Sequence, residues 1–162
     1  MLAACLTGYQ AEPDSINLLE NITIPYEDLD GNFVVMDKNG NFEGNHLYFN
    51  THYYACADFN TDTRIDMITI ASENYGGSGT FYDLILFMNN DGALHYSDNW
   101  GGGDRINPQG LYINRKKEIE FRFLARASHD TFAVTPYILH IVKLIVRNKK
   151  LYVISHQIIP PP

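Results

Sequence analysis

The chain predicts a mainly β domain, an antiparallel meander that is curled or sandwich-like and is preceded by a short N-terminal helix. Three observations carry that prediction. Short apolar runs rich in Val, Ile, Phe and Tyr follow one another from about residue 33 to the C-terminus, and such residues suit a pleated, half-buried surface. Between them stand Asn39-Gly40, Gly76-Gly77-Ser78-Gly79, Asp91-Gly92 and Asn148-Lys149, which are hairpin and turn signals. Finally, 162 residues with 45% hydrophobic content suffice for one well-packed core and are too few for two ordinary domains.

Taken in order, residues 1–15 are small and polar after the first few positions and form a tether. Residues 16–22 could form one short helix, with Asp14 or Ser15 as its N-cap and Pro25 ending it soon after. Phe33 to Met36 and His46 to Phe49 flank Asn39-Gly40, the best short hairpin signal in the chain. The Asx-rich stretches 28–32 and 37–41 are plain turns. Met67 to Ala71 is β-branched and apolar, Thr80 to Met88 is the longest apolar strand, and Asp91-Gly92 turns it into Ala93 to Tyr96. Three consecutive hairpins imply a meander. Gly101-Gly102-Gly103 after Trp100 reads as a flexible connection. Ile119, Phe121 and Phe123 alternate with Glu118, Glu120 and Arg122, so that strand has one wet face. Leu139 to Val146 is apolar on both faces except Lys143, as a central strand requires, and Asn148-Lys149 turns it into Leu151 to Ile154. The domain is expected over 16–157, with 158–162 as a Pro-rich extended tail.

Charge is unevenly distributed. The formal total is −7, made of −14 over residues 1–104 and +7 over 105–162. An acidic total argues against general nucleic-acid binding, which needs many Lys and Arg on phosphates. Either the two halves neutralise each other, or the basic half has an acidic partner.

The strongest chemical signal is Asp58-x-Asn60-x-Asp62-x-Arg64-x-Asp66. Alternate oxygens in a tight loop can converge on a hard cation, with Asp58, Asn60, Asp62, the Arg64 carbonyl and Asp66 as ligands, making calcium the one cofactor to consider. Thr63 stands where such loops usually have Gly, which would strain the backbone by about 1–2 kcal/mol and hold any affinity near 10⁻⁴ to 10⁻³ M. The other reading is a turn capped by its own Asp and Asn side chains, with Arg64 pairing the carboxylates. Thr69 at the twelfth position and a strand after the loop exclude an EF-hand.

No catalytic constellation is present in the pattern. Gly76 to Gly79 lacks the Lys-Ser/Thr of a phosphate loop, and Ser78 is not in G-x-S-x-G. The six histidines are scattered and read as structural. Asp104-Arg105 reads as an ion pair or Arg fork fixing a loop, and with Trp100 it forms a candidate binding edge. Cys56 reads as a small buried hydrophobe, with a Cys5–Cys56 disulfide as the alternative. A non-enzymatic domain is therefore expected. Its 21 aromatics offer flat amphipathic patches, and its edge strands and Pro tail offer two modes of docking.

Three resemblances bear on location and role. Leu2-Ala3-Ala4-Cys5 resembles the lipobox of bacterial lipoprotein precursors, which implies a signal peptide removed before Cys5 and a diacylglyceryl and palmitate anchor on that residue. Leu6 lacks the Asp of an inner-membrane retention signal, so the implied site is the periplasmic face of the outer membrane. No apolar run of 18 residues is present to span a bilayer. The loop at 58–66 is similar to the calcium loops of FG-GAP-type repeats. Its succession with Gly76-Gly77-Ser78-Gly79-Thr80-Phe81 and Gly103-Asp104-Arg105 looks like a family of small bacterial lipoproteins and periplasmic proteins, over residues 45–155. That family usually has Gly where this chain has Thr63. The resemblance implies envelope proteins as partners, in an assembly such as a secretion complex. The alternative is a soluble periplasmic ligand-binding or inhibitor module with a weak calcium site.

Overall fold

The computed structural model describes residues 23–24, 34–35, 47–73, 78–90 and 92–161, and the side chains of 53–72, 78–90 and 92–161. Cys5 with its lipobox, the tether, the helix expected over 16–22, the Asn39-Gly40 turn, the turns at 28–32 and 37–41, His46 and Gly76-Gly77 lie outside the described residues.

The fold is mainly β. Strands β1 (Thr23–Ile24) and β2 (Val34–Val35) form a two-stranded antiparallel ribbon. Strands β3 (Leu47–Ala57), β4 (Asp66–Glu73), β5 (Phe81–Asn90) and β6 (Ala93–Asp104) form one antiparallel sheet in chain order. Strands β7 (Asn107–Ile113), β8 (Ile119–Ala125), β9 (Ile138–Arg147) and β10 (Lys150–Ile159) form a second, also in chain order. Both are meanders, each strand pairing antiparallel with its neighbour along the chain, across connections that range from the tight ones between Asn90 and Ala93 and between Arg147 and Lys150 to the longer segment 126–137.

The two sheets face each other across one core. Ile68, Ile70 and Leu84 of the first pack with Leu111, Ile119, Phe121, Phe123, Val142 and Leu144 of the second, and Ile106 joins them. Alternation sends the odd-numbered positions of β4 and β5 to the opposite face. There Met67, Ala71, Ile85 and Phe87 form another buried cluster with Cys56 and Leu94. Hence β5 is buried on both faces from Leu84 to Asn89, as its unbroken apolar run anticipates. Cys56 is one of this cluster's packed residues, 5% exposed. The ribbon lies against β6 through β1, and the sheet edges meet at β3 with β7 and at β6 with β10.

Three sequence expectations are revised. Val34–Val35 pairs with Thr23–Ile24 and, among the described residues, not with Leu47 to Phe49. A turn signal sets local geometry only; the 11-residue β3 pairs instead with the long apolar β4. Gly101 to Gly103 are not a flexible connection, since Gly103 pairs with Tyr82 and Gly101 with Asp83 inside β6. At Gly102 a Cβ would stand 2.9 Å from the Tyr82 carbonyl oxygen and 3.2 Å from Ile106, so glycine serves close approach of two strands there. Lastly, Ile158 and Ile159 pair with His140 and Leu139, which extends the domain to Ile159. Pro160, with no N–H to donate, ends the ladder.

Candidate functional site

The loop between β3 and β4 is built on its own carboxylates. Asp58 accepts the N–H of Asp62 on Oδ1 and that of Thr63 on Oδ2, both at 3.1 Å. Asn60 accepts Asp62 N–H at 3.1 Å and donates its amide to Asp62 Oδ2 at 2.9 Å. Asp62 Oδ1 accepts Arg64 N–H at 2.9 Å, and this bond, followed by the Asn60 amide, holds the Asp62 carboxyl below the usual range. Thr61 and Thr63 both sit at positive φ, 64° and 73°, so the tight turn is made without glycine. Lys117, at the β7–β8 turn, donates its ammonium to the Asp58 carbonyl oxygen and stands 4.0 Å from Asp58 Oδ2.

Asp66 does different work from its three companions. It is fully buried, and it accepts Phe59 N–H at 2.8 Å on Oδ2 and Asn89 N–H at 2.9 Å on Oδ1. Asn89 in turn donates to the Ile65 carbonyl and accepts Gly92 N–H. This carboxylate therefore ties the loop to the β5–β6 hairpin. Burial pushes its pKa up, against the pull of those two N–H groups. Among the described residues, no group of three or more His, Cys, Asp or Glu side chains is placed to hold a metal ion. The loop's oxygens are turned to backbone N–H groups, and the cation beside Asp58 is Lys117.

Asp104 and Arg105 meet the Ser78–Phe81 turn, because Phe81 and Asp104 are register partners. Asp104 accepts Thr80 N–H at 3.1 Å and pairs with Arg105 Nη1 at 2.7 Å. Arg105 donates Nε to the Ser78 carbonyl at 2.8 Å and Nη2 to Ser78 Oγ at 3.1 Å. Its guanidinium also lies 4.0 Å from the centroid of the Phe132 ring. Two motifs about 25 residues apart in sequence thus make one junction, fastened by a forked cation.

Trp100 and Asp104 line a cleft of about 410 Å³ whose other walls are Gly101 to Gly103, Phe123 on β8, His140 on β9, His156 on β10 and the 126–132 segment. A ladder of rings joins its walls to the core, since Phe121 is buried behind it. Trp100 meets Phe121 edge-on at 6.4 Å, Phe121 meets Phe123 at 4.9 Å, Phe123 stacks on His140 at 4.9 Å, and His140 lies 5.0 Å from His156. The last two also share a hydrogen bond, Nδ1 of His140 to Nε2 of His156 at 2.9 Å. Burial, then the neighbouring His156, pushes the His140 pKa down.

No family model, curated protein or solved structure matches this chain. The site is thus read from its own geometry.

Of the residues named from sequence, Asp58, Asn60, Asp62, Arg64 and Asp66 share one loop, whereas Trp100, Asp104 and Arg105 share the cleft and its rim. The histidine pair was missed. His140 and His156 are 16 residues apart and nearly centred on the Asn148-Lys149 turn, whose φ values of 50° and 63° mark a tight hairpin. Counting outward from that turn brings the two rings together, a signal that a search for helical His spacing passes over.

One further surface belongs here. β10 is an edge strand of ten residues, and Tyr152, Val153, Ile154, Ile158 and Ile159 on it are 44–60% exposed.

Proposed function

We propose that this chain is a non-enzymatic, lipid-anchored domain on the periplasmic face of the bacterial outer membrane, acting as a structural and binding component of an envelope assembly such as a secretion complex. The observation that carries the binding role is the β10 edge, with five large apolar side chains exposed on a strand that, among the described residues, has no strand partner on its outer side. Soluble proteins blunt such edges with charge, proline or cover, and between Lys150 and Pro160 this strand has no Lys, Arg, Asp or Glu. An edge left open in this way suits strand addition by a partner. The lipobox-like Leu2-Ala3-Ala4-Cys5 supports the anchor; acylation at Cys5 would hold the domain at a membrane without a spanning helix.

The test is a pull-down of the full precursor from detergent-solubilised envelopes, beside Cys5→Ser and Ile158→Lys forms. Co-purification with a fixed set of envelope proteins, weakened in either variant, is the expected result. Recovery of the protein alone, released without detergent and indifferent to Cys5→Ser, would overturn the reading. That outcome would favour a soluble ligand-binding or inhibitor module, for which the cleft beside Trp100 is the supporting observation.

A further inference from the structure

The β10 edge has a definite extent and a definite charge, and both select among partners. At its start the edge is closed by β6, since Asp98 accepts Leu151 N–H at 2.7 Å and Ser97 donates its hydroxyl to the Lys149 carbonyl at 2.7 Å. At its end Pro160 offers no N–H. Among the described residues the open row thus runs from Tyr152 to Ile159, a length for about eight paired residues. Register places Val153 opposite the buried Leu144 and Ile158 opposite the cleft residue His140, so both point to the inner face. They are nevertheless 45% and 60% exposed. The exposed inner face of β10 is therefore continuous with the ring-lined cleft holding Phe123, His140 and Trp100.

The charge carried by the β9–β10 hairpin itself is of one sign. From residue 131 to the C-terminus the chain has Lys143, Arg147, Lys149 and Lys150 and no Asp or Glu. Lys143 is paired with Glu120 on β8 at 3.6 Å. Among the described residues no carboxylate lies within ion-pair distance of Arg147, Lys149 or Lys150, which cluster at the hairpin tip where β10 begins. Among the described residues two acids bear on that end: Asp98 is held by Leu151 N–H, and Asp62 lies within electrostatic reach of Lys149.

From these two properties we infer that the β10 edge takes an extended protein segment, apolar at alternate positions and carrying carboxylates at its C-terminal end, which adds antiparallel to Tyr152–Ile159. This deepens the binding role proposed above and rests on it. Antiparallel addition brings the C-terminal end of the incoming strand to Lys149 and Lys150. Its backbone satisfies the open row, its alternate side chains cover Val153 and Ile158 and enter the cleft, and its carboxylates meet Lys149 and Lys150 at the hairpin tip. A second copy of the chain is disfavoured as the occupant: β10 paired antiparallel with itself would bring the stretch 158–160, which has no Asp or Glu, to these lysines, and Ile154 bulges out of register at the centre of such a pairing.

The experiment uses the full chain carrying Cys5→Ser, in solution, with Trp100 as reporter, because it is the only Trp and lines the cleft. The probes are a synthetic peptide of alternating Val and Thr ending in two Glu, and the same peptide ending in two Lys. Expected is a change in Trp100 emission with the Glu peptide at a Kd at least about tenfold below that of the Lys peptide. That preference should vanish in Lys149→Glu/Lys150→Glu. Binding of both peptides should be lost in Ile158→Lys, with thermal unfolding confirming that each variant is folded. Equal binding of the two peptides, or no response to either up to about 1 mM, would overturn the inference. So would a dimer in sedimentation that Ile158→Lys dissociates, since the occupant would then be a second copy. Failure of the peptides while the pull-down succeeds would remove the strand chemistry and leave the assembly role standing.

Discussion

At Gly102 one hydrogen atom decides whether β6 can remain in its sheet. A methyl group there would meet a backbone carbonyl at 2.9 Å and Ile106 at 3.2 Å, and the carbonyl, fixed in the strand, cannot swing aside. Gly102→Ala should cost about 1–3 kcal/mol in chemical denaturation, the usual penalty for overpacking. Gly110→Ala is the control: the atoms in the way belong to the far end of the Tyr112 ring, which is partly exposed and can turn, so the loss should be clearly smaller. Asp66 makes a second prediction. Its folded pKa is raised by burial, so stability linked to this group is full below its ordinary pKa and is lost as pH rises through the folded value. Asp66→Asn removes the titration and, by turning an amide on one of two N–H donors, should cost about 1–3 kcal/mol. Compared at rising pH, wild type should lose part of its advantage over that variant; a constant difference would refute the linkage. The loop yields a third. A calcium ion at Asp58 would have to displace Lys117, so titration should give a Kd no tighter than about 10⁻⁴ M, improved by Lys117→Met. Submicromolar binding would show that the lysine offers no competition.

Among the elements, the β9–β10 hairpin concentrates most of what is chemically distinctive. His140 is depressed by burial and by its bonded neighbour, so the stability it contributes is present above the ordinary histidine pKa and lost as pH falls through the folded value. Asp130 and Arg126 face the same cleft, but Arg126 donates to the carbonyl oxygens of Arg105 and Val134, and Asp130 accepts Ala127 N–H at 2.9 Å. The thermal midpoint of wild type should therefore fall further between pH 7 and pH 5 than that of His140→Phe, which keeps the stacking on Phe123 and removes the charge. A parallel decline in both proteins would place the pH sensitivity elsewhere. Strands of this kind are legible in sequence when one rule governs them. The alternation of Ile119, Phe121 and Phe123 predicts β8, and the apolar run from Thr80 predicts β5, because each reports burial directly. β6 was legible only as far as Tyr96. Its glycines obey a tertiary demand, the approach of Tyr82, which no local pattern announces. The site follows the same division. The acidic loop and Asp104-Arg105 show in the sequence because their partners are close along the chain or fixed by one hairpin, whereas the ring ladder needs four strands in register before its members meet.

For the molecule as a whole, burial is graded from one strand to the next, and stability should be graded with it. β5 is covered on both faces by two separate clusters, and β4 and β8 are buried on at least one. β10 lies at the limit of its sheet, with no strand on its outer side among the described residues and eight of its ten residues exposed. Opening β10 exposes little new apolar area, whereas opening β5 disrupts both cores at once, so local unfolding should cost far less at the edge than at the centre. Native-state hydrogen exchange will read this gradient. Amides of Leu84 to Met88 should exchange only by global unfolding, those of Phe121 and Phe123 nearly as slowly, and the outward amides of β10 within the fast limit, apart from Leu151, which Asp98 protects. Adding the Glu-ended peptide should slow the β10 amides and leave β5 unchanged, because strand addition supplies acceptors only to the open row. If β10 exchanges as slowly as β5 in the free protein, its edge is already covered, and the surface argued for here is not available to a partner.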